Sequence, residues 1–116
     1  MNKTIVSFIY EISQVIRTFR PDDYFSIICG KSLPVTCTLE EVELALTGKD
    51  AYLCVHFDQH RLILKDDYNP IIKMDHGHIV FRYIPILGSE NEENDKKIIQ
   101  KFINDLEYAI KNNYYY

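Results

Sequence analysis

The stretch that decides the fold is residues 51–84, which read AYLCVHFDQHRLILKDDYNPIIKMDHGHIVFRYI. Runs of β-branched and aromatic residues predict four strands within it, at 51–57, 61–65, 71–74 and 79–84. The links between these runs are short, whereas a parallel connection needs a dozen or more residues. The stretch therefore predicts consecutive antiparallel strands in a meander.

The run at 51–57 alternates in character, which assigns its side chains to two faces. One face carries Leu53, Val55 and Phe57, and the other carries Tyr52, Cys54 and His56. Turn-forming residues separate the later runs. Residues 66–70 read DDYNP and residues 75–78 read DHGH, where Gly77 can take the positive φ of a hairpin turn.

Upstream of this stretch the sequence predicts an amphipathic helix over residues 3–19. Apolar residues recur there at spacings of three and four. Pro21 ends the helix, because the residue before a proline avoids helical angles. Residues 24–29, which read YFSIIC, predict a strand, and an extended stretch begins at Pro34.

A short middle helix is predicted from the spacing of Thr38 and Glu41. In a capping box, a threonine and a glutamate three residues later satisfy each other's free backbone donors. Gly48 is suited to end this helix. The expected inward side chains are Leu39, Val42 and Leu46, and the expected outward ones are Glu40, Glu41 and Glu43.

A third helix follows the acidic loop at 88–94, with Asn94 or Asp95 as its cap and Asn112 near its end. The expected fold is α+β. It is a four- to five-stranded, mainly antiparallel meander sheet with N- and C-terminal helices and a short middle helix packed on it. Residues 1–116 form a single domain, since 116 residues lie within the usual size of one domain.

The charge distribution argues against general nucleic-acid binding. The chain has 13 Lys and Arg against 17 Asp and Glu, a net charge of −4. Its basic residues are scattered, whereas gripping a phosphate backbone requires clustered cations. An acidic surface instead suits a basic protein partner, because opposite potentials steer encounter.

The cysteines and the N-terminus predict a cytoplasmic protein that does not enter a membrane. Cys29, Cys37 and Cys54 are an odd number without close pairing, which is typical of reduced thiols. Residues 1–17 lack a cleavage site of small residues, so they do not resemble a signal peptide. No apolar run approaches the ~20 residues of a membrane span.

Histidines and one cysteine form the only candidate for metal binding or catalysis. Cys54 and His56 share a strand face with His60 nearby, and His76 and His78 flank a glycine. Parallel side chains two apart on a strand do not aim their reactive atoms at each other, and the ligand spacing of zinc sites is missing. We expect no metal, no cofactor and no catalytic residue here, with His56, His60, His76 and His78 as weak metal candidates.

Sequence motifs of enzymes are also missing. The chain has four glycines, none clustered, so it lacks a glycine-rich phosphate cradle. Its paired carboxylates lie at turns and helix starts, where local reasons favour them. Acid–base catalysis needs a carboxylate in a partly buried cleft. The expected protein is not an enzyme.

Tyrosines and acidic groups are the strongest candidates for binding a partner. The chain has nine Tyr and no Trp, and Tyr combines contact area with a hydroxyl at protein interfaces. Acidic residues cluster on the middle helix and before the last helix. The expected partner-binding residues are Glu40, Glu41, Glu43, Tyr68, Glu90, Glu92, Glu93 and Asp95.

In size, layout and charge the chain resembles the immunity proteins of bacterial contact-dependent growth inhibition systems. The resemblance covers the overall plan of the 116 residues and rests on no motif, so no residue role is carried over. It implies a non-catalytic antitoxin that binds and neutralises one cognate toxin domain in the cytoplasm of its own cell. A nuclease toxin has a positive cleft, which an acidic inhibitor can cover.

Two alternatives remain open at this point. The same surface chemistry fits a phage- or host-encoded interaction subunit that inhibits another enzyme. A small metal-binding or catalytic domain built on the Cys and His residues is the other alternative. Homodimerisation is a further expectation that stays open, because a meander sheet leaves an edge strand that can pair.

Overall fold

The computed structural model describes residues 3–27, 31–47, 53–58, 64, 71–75, 78–83 and 92–112. Three helices lie within them: α1 (Lys3–Arg17), α2 (Leu39–Leu46) and α3 (Glu92–Lys111). The five strands are β1 (Tyr24–Ile27), β2 (Lys31–Pro34), β3 (Leu53–Asp58), β4 (Ile72–Asp75) and β5 (His78–Tyr83). The α+β fold, with its antiparallel sheet and three helices, is confirmed.

The strand order in the sheet is β2-β1-β3-β5-β4, and every neighbouring pair is antiparallel. β3 lies in the centre, between a hairpin of β1 and β2 and a hairpin of β4 and β5. In a simple sequential order β4 would lie beside β3. Here β5 takes that place, with Val55 opposite Phe81, and β4 becomes an edge strand.

The two faces of the sheet differ in composition and exposure. Phe25, Val55 and Phe81 point to one face and are fully buried. Ser26, His56 and Arg82 point to the other face and are half-buried or exposed. Antiparallel sheets commonly cover one face and leave the other to solvent. The predicted faces of the run at 51–57 are therefore confirmed for four residues. Val55 and Phe57 lie on the buried face, and Cys54 and His56 lie on the other face.

One hydrophobic core joins the buried face of the sheet to the three helices. The rings of Phe25 and Phe57 on neighbouring strands stack with centroids 4.7 Å apart. From the helices, Ile9 and Phe102 add fully buried side chains to the same core. The helices are held in place by burial of their apolar stripes, the main favourable contribution to folding.

Helix α1 ends at Arg17, two residues before the predicted end at 19. The chain leaves the helix in a turn, in which the Thr18 hydroxyl donates to the Val15 carbonyl oxygen over 2.7 Å. Ser13 is buried in the middle of this helix, and its hydroxyl donates to the Tyr10 carbonyl oxygen over 2.6 Å. A buried serine is tolerated because its polar atom is hydrogen-bonded.

The capping box predicted at α2 is confirmed. The Glu41 amide donates to the Thr38 hydroxyl and the Thr38 amide donates to the Glu41 carboxylate, both over 3.2 Å. Val42 and Leu46 face the core as expected. The expectation for Leu39 is wrong, because this residue is 37% exposed. It lies at the first helical position, at the end of the buried stripe.

Helix α3 starts at Glu92, earlier than the predicted cap at Asn94 or Asp95. Acidic residues are favourable in a first turn because of the positive end of the helix dipole, so Glu92 and Glu93 extend the helix rather than the loop. At the other end Lys111 is the last helical residue, as Asn112 predicted.

Strand β2 (Lys31–Pro34) is not among the predicted strands, because the extended stretch predicted from the sequence begins only at Pro34, the last residue of β2. The strand predicted at 61–65 has one described residue, Leu64, which lies in no strand. Its side chain packs against the core, so its apolar character reflects burial and not membership of the sheet. Other predictions fall outside the described residues: those for Cys29, Gly48, Tyr52, residues 66–70 and Gly77, and that for the side chain of Leu53.

Candidate partner-binding surface

The exposed side of α2 gathers three of the predicted binding residues. Glu40, Glu41 and Glu43 are all exposed, on a helix of eight residues that contains no Lys or Arg. The capping box fixes where the helix begins, and the buried stripe of Val42, Ala45 and Leu46 fixes which side faces solvent. The sequence therefore places three carboxylates on one short, anchored element.

Two leucines of this helix are exposed to different degrees, and one of them is the most exposed apolar residue of the helix. Leu44 is 73% exposed, against 37% for Leu39. Leu44 follows Glu40 by four residues and Glu41 by three, so these side chains are neighbours on the helix surface. A single exposed leucine is common on proteins. Its position between carboxylates gives this surface, which we call the α2 surface (Leu39, Glu40, Glu41, Glu43 and Leu44), a mixed apolar and acidic character.

The second predicted acidic group, at the start of α3, is less concentrated. Glu93 is exposed, and its carboxylate lies 3.5 Å from the ammonium of Lys96, an ion pair that offsets part of its charge. Asp95 is half-buried. Glu92 begins the helix, but its side chain is outside the described part, as are Tyr68 and Glu90. The α2 group and the α3 group lie on different helices, each packed against α1.

The tyrosines divide between core edge and surface. Tyr10 is partly buried and packs against the core. Tyr24 and Tyr108 are 60% and 57% exposed. Tyr24 points to the open face of the sheet, and Tyr108 lies on α3. These two are the described tyrosines most accessible to a partner.

The histidines that the structure describes meet across strands. His56 on β3 and His78 on β5 have ring centroids 4.3 Å apart, with the ring planes tilted by 60°. His78 Nδ1 also lies 3.6 Å from Asp58 Oδ1. The sequence predicts two groups, one of Cys54, His56 and His60 and the other of His76 and His78. His60 and His76 lie outside the described residues, so the structure shows only the pair formed across the sheet.

Burial shifts the acid–base behaviour of His56. Desolvation lowers the pKa of His56, the nearby His78 lowers it further, and the carboxylates of Asp58 and Asp75 act in the opposite direction. Cys54 shares the face but is opposite Arg82 in the strand pairing. Among the described residues, no group of three or more His, Cys, Asp or Glu side chains could hold a metal ion.

A shallow groove lies between the C-terminal halves of α1 and α3. Its lining within the described structure is Gln14, Val15, Thr18, Glu107, Ile110 and Lys111. This lining offers one carboxylate and one ammonium without a histidine or a cysteine.

Leu44 and Tyr24 are the surface residues that the sequence interpretation missed. The signal for Leu44 was present, since Val42, Ala45 and Leu46 already account for the buried stripe of α2 and Leu44 falls outside it. For Tyr24 the sequence predicts a strand but not which face its side chain takes, and the pairing of β1 with β2 and β3 supplies the face.

Within the described parts, no helix combines the length and the apolar character needed to cross a bilayer. No family model, curated protein or solved structure matches the chain.

Proposed function

We propose that this protein is a non-catalytic inhibitor that binds another protein, an immunity protein that neutralises a cognate bacterial toxin domain. The proposed toxin domain is basic and of nuclease type, and the proposed place of action is the cytoplasm of the cell that makes both. The α2 surface carries this proposal. It combines three exposed carboxylates with an exposed leucine on a helix without compensating cations.

Electrostatics favours this surface over the start of α3. Exposed carboxylates raise the association rate with a cationic cleft, and apolar contact slows dissociation once the charges have met. On α2 both kinds of group are present. At the start of α3 Lys96 lies beside Glu93, which reduces the local negative potential. The α3 group and Tyr68 are proposed as a second, weaker part of the interface.

The first test identifies the partner and then measures binding. The protein is co-expressed with the C-terminal domain encoded by the neighbouring upstream gene, and protection of the cells and affinity at several salt concentrations are recorded. We expect tight binding and protection by the wild-type protein. Absence of both with that domain contradicts the immunity role, and binding to a different enzyme supports the alternative of a phage- or host-encoded inhibitor.

The matching variant is the triple substitution Glu40→Gln, Glu41→Gln and Glu43→Gln. Glutamine at position 41 keeps the capping box, because this motif accepts Glu or Gln. We expect weaker binding with a shallower dependence on salt. A control with the same change in net charge places the substitutions on exposed carboxylates elsewhere: Glu11→Gln, Asp22→Asn and Glu107→Gln. Equal affinity and salt slope for the two triple variants would show that α2 is not the contact.

A further inference from the structure

The contact between His56 and His78 joins the central strand to its neighbour on the open face of the sheet. His56 lies opposite Val80, and His78 lies opposite Asp58, so the two histidines are diagonal neighbours in the β3–β5 pairing. Long and aromatic side chains at diagonal positions are within reach of each other. Their rings meet with centroids 4.3 Å apart.

One nitrogen of His56 is poorly placed to carry a charge. Its Nε2 atom is inaccessible to solvent and has no hydrogen-bond partner among the described residues. A protonated imidazole donates from both nitrogens, and a buried charged donor without an acceptor is costly. The neighbouring ring of His78 adds repulsion when both rings are charged.

The charged and titratable groups around His56 come from five segments. β3 itself supplies Cys54 and Asp58, β4 supplies Lys73 and Asp75, and β5 supplies His78 and Arg82. On the other side, β1 begins at Tyr24 and places Ser26 opposite His56. Arg20, from the turn after α1, donates to the carbonyl oxygen of Asp58 over 3.2 Å.

The two nearby carboxylates do not cancel the effect of burial on the pKa of His56. Asp58 and Asp75 favour the imidazolium, but desolvation and His78 act against it more strongly, so the pKa of His56 lies below its ordinary value. The folded sheet therefore favours neutral His56.

We propose that the His56–His78 contact is a proton-sensitive contact of the sheet, which holds β3 and β5 together when His56 is neutral and loosens when His56 takes up a proton. This proposal does not depend on the proposed function, since it concerns the isolated protein.

Proton linkage gives the direction in which a change of pH shifts the opening equilibrium of β3 and β5. His56 in the opened segment has its ordinary pKa of about 6.5, and in the closed sheet its pKa is lower. The open form binds more protons as the pH falls below about 6.5, so opening becomes more favourable there. One proton changes the opening equilibrium by at most tenfold per pH unit, and the effect levels off below the lowered pKa.

The test is an NMR titration of the full chain between pH 8 and pH 4.5 in a buffer that contains a chelator. Imidazole signals give the titration of each histidine, and amide hydrogen exchange, corrected for intrinsic rates, gives the opening equilibrium of β3 and β5. The variants are His56→Gln, which removes the proton site, and His78→Gln, which removes the neighbouring charge. Lys73→Gln is the control, because Lys73 is exposed on the same face.

In the wild type we expect His56 to titrate below 6.5 and opening to increase by up to tenfold per pH unit in that range. The increase is lost in His56→Gln, the pKa of His56 rises in His78→Gln, and Lys73→Gln keeps both wild-type properties. Titration of wild-type His56 at or above 6.5, or an opening equilibrium in β3 and β5 independent of pH, would overturn the proposal. The wild-type measurement decides this even where a variant fails to fold.

Discussion

Two identical substitutions on α2 test which side of this helix faces the core. Leu44 is 73% exposed and Leu46 is fully buried, although they lie two residues apart. Full burial of a leucine side chain contributes about 1.5–3 kcal/mol. Only about a quarter of Leu44 is buried, so Leu44→Ala removes roughly 0.5 kcal/mol of apolar burial. Leu46→Ala also leaves a cavity, and we expect it to cost about 2–5 kcal/mol.

Urea unfolding of both variants and the wild type provides the measurement. With a slope of ~1.5 kcal/mol per molar, a loss of ~3 kcal/mol lowers the midpoint by about 2 M for Leu46→Ala, and Leu44→Ala shifts it by a few tenths of a molar. The change in helix propensity is the same in both, so it cancels in the comparison. A midpoint for Leu44→Ala as low as that of Leu46→Ala would refute the orientation of α2, and with it the availability of Leu44 to a partner.

Two further predictions concern the same region. Thr38→Ala removes the capping box and is expected to cost about 1 kcal/mol in urea unfolding, whereas Thr38→Ser keeps the hydroxyl and stays near wild type; equal stabilities would contradict the cap. Burial, with a smaller contribution from Glu41, raises the pKa of the Cys37 thiol. The folded state therefore holds the Cys37 proton more tightly than the unfolded state. The resulting stability is fully present at a pH below the ordinary thiol pKa, and it is lost as the pH rises through the raised pKa. At pH 8 we expect alkylation, mapped by mass spectrometry, to be slower at Cys37 than at Cys54 in the native protein and similar in denaturant; equal native rates would argue against burial of Cys37.

Local patterns were sufficient to predict most of the elements. The period of α1 and the Thr38–Glu41 spacing are properties of neighbouring residues, and both were confirmed. Strand order is not such a property. Nothing in the apolar runs specifies that β5, rather than β4, pairs with β3, because either choice buries the same kind of residue. β2 was missed for a related reason, since its sequence KSLP has little strand preference and the strand depends on pairing with β1.

For the candidate surfaces, too, local patterns were predictable from the sequence and contacts that depend on strand pairing were not. The carboxylates of α2 were predicted from the sequence because helical spacing alone puts them outside. The contact of His56 with His78 was not predicted, since the two residues are distant in sequence and meet only in the register that places Asp58 opposite His78. Leu44 was within reach of a sequence argument, because three other residues already complete the buried stripe of its helix.

The central place of β3 has a consequence for the order of folding. Each of the two hairpins beside it joins strands that are adjacent in sequence, so each can form early from local chain. A hairpin alone is marginally stable in water. The hairpins become parts of one sheet only when β3 enters between them. Because this step closes longer loops, we expect it to limit the folding rate. We expect substitutions in β3, such as Val55→Ala, to slow folding, whereas those at the outer strands mainly speed unfolding.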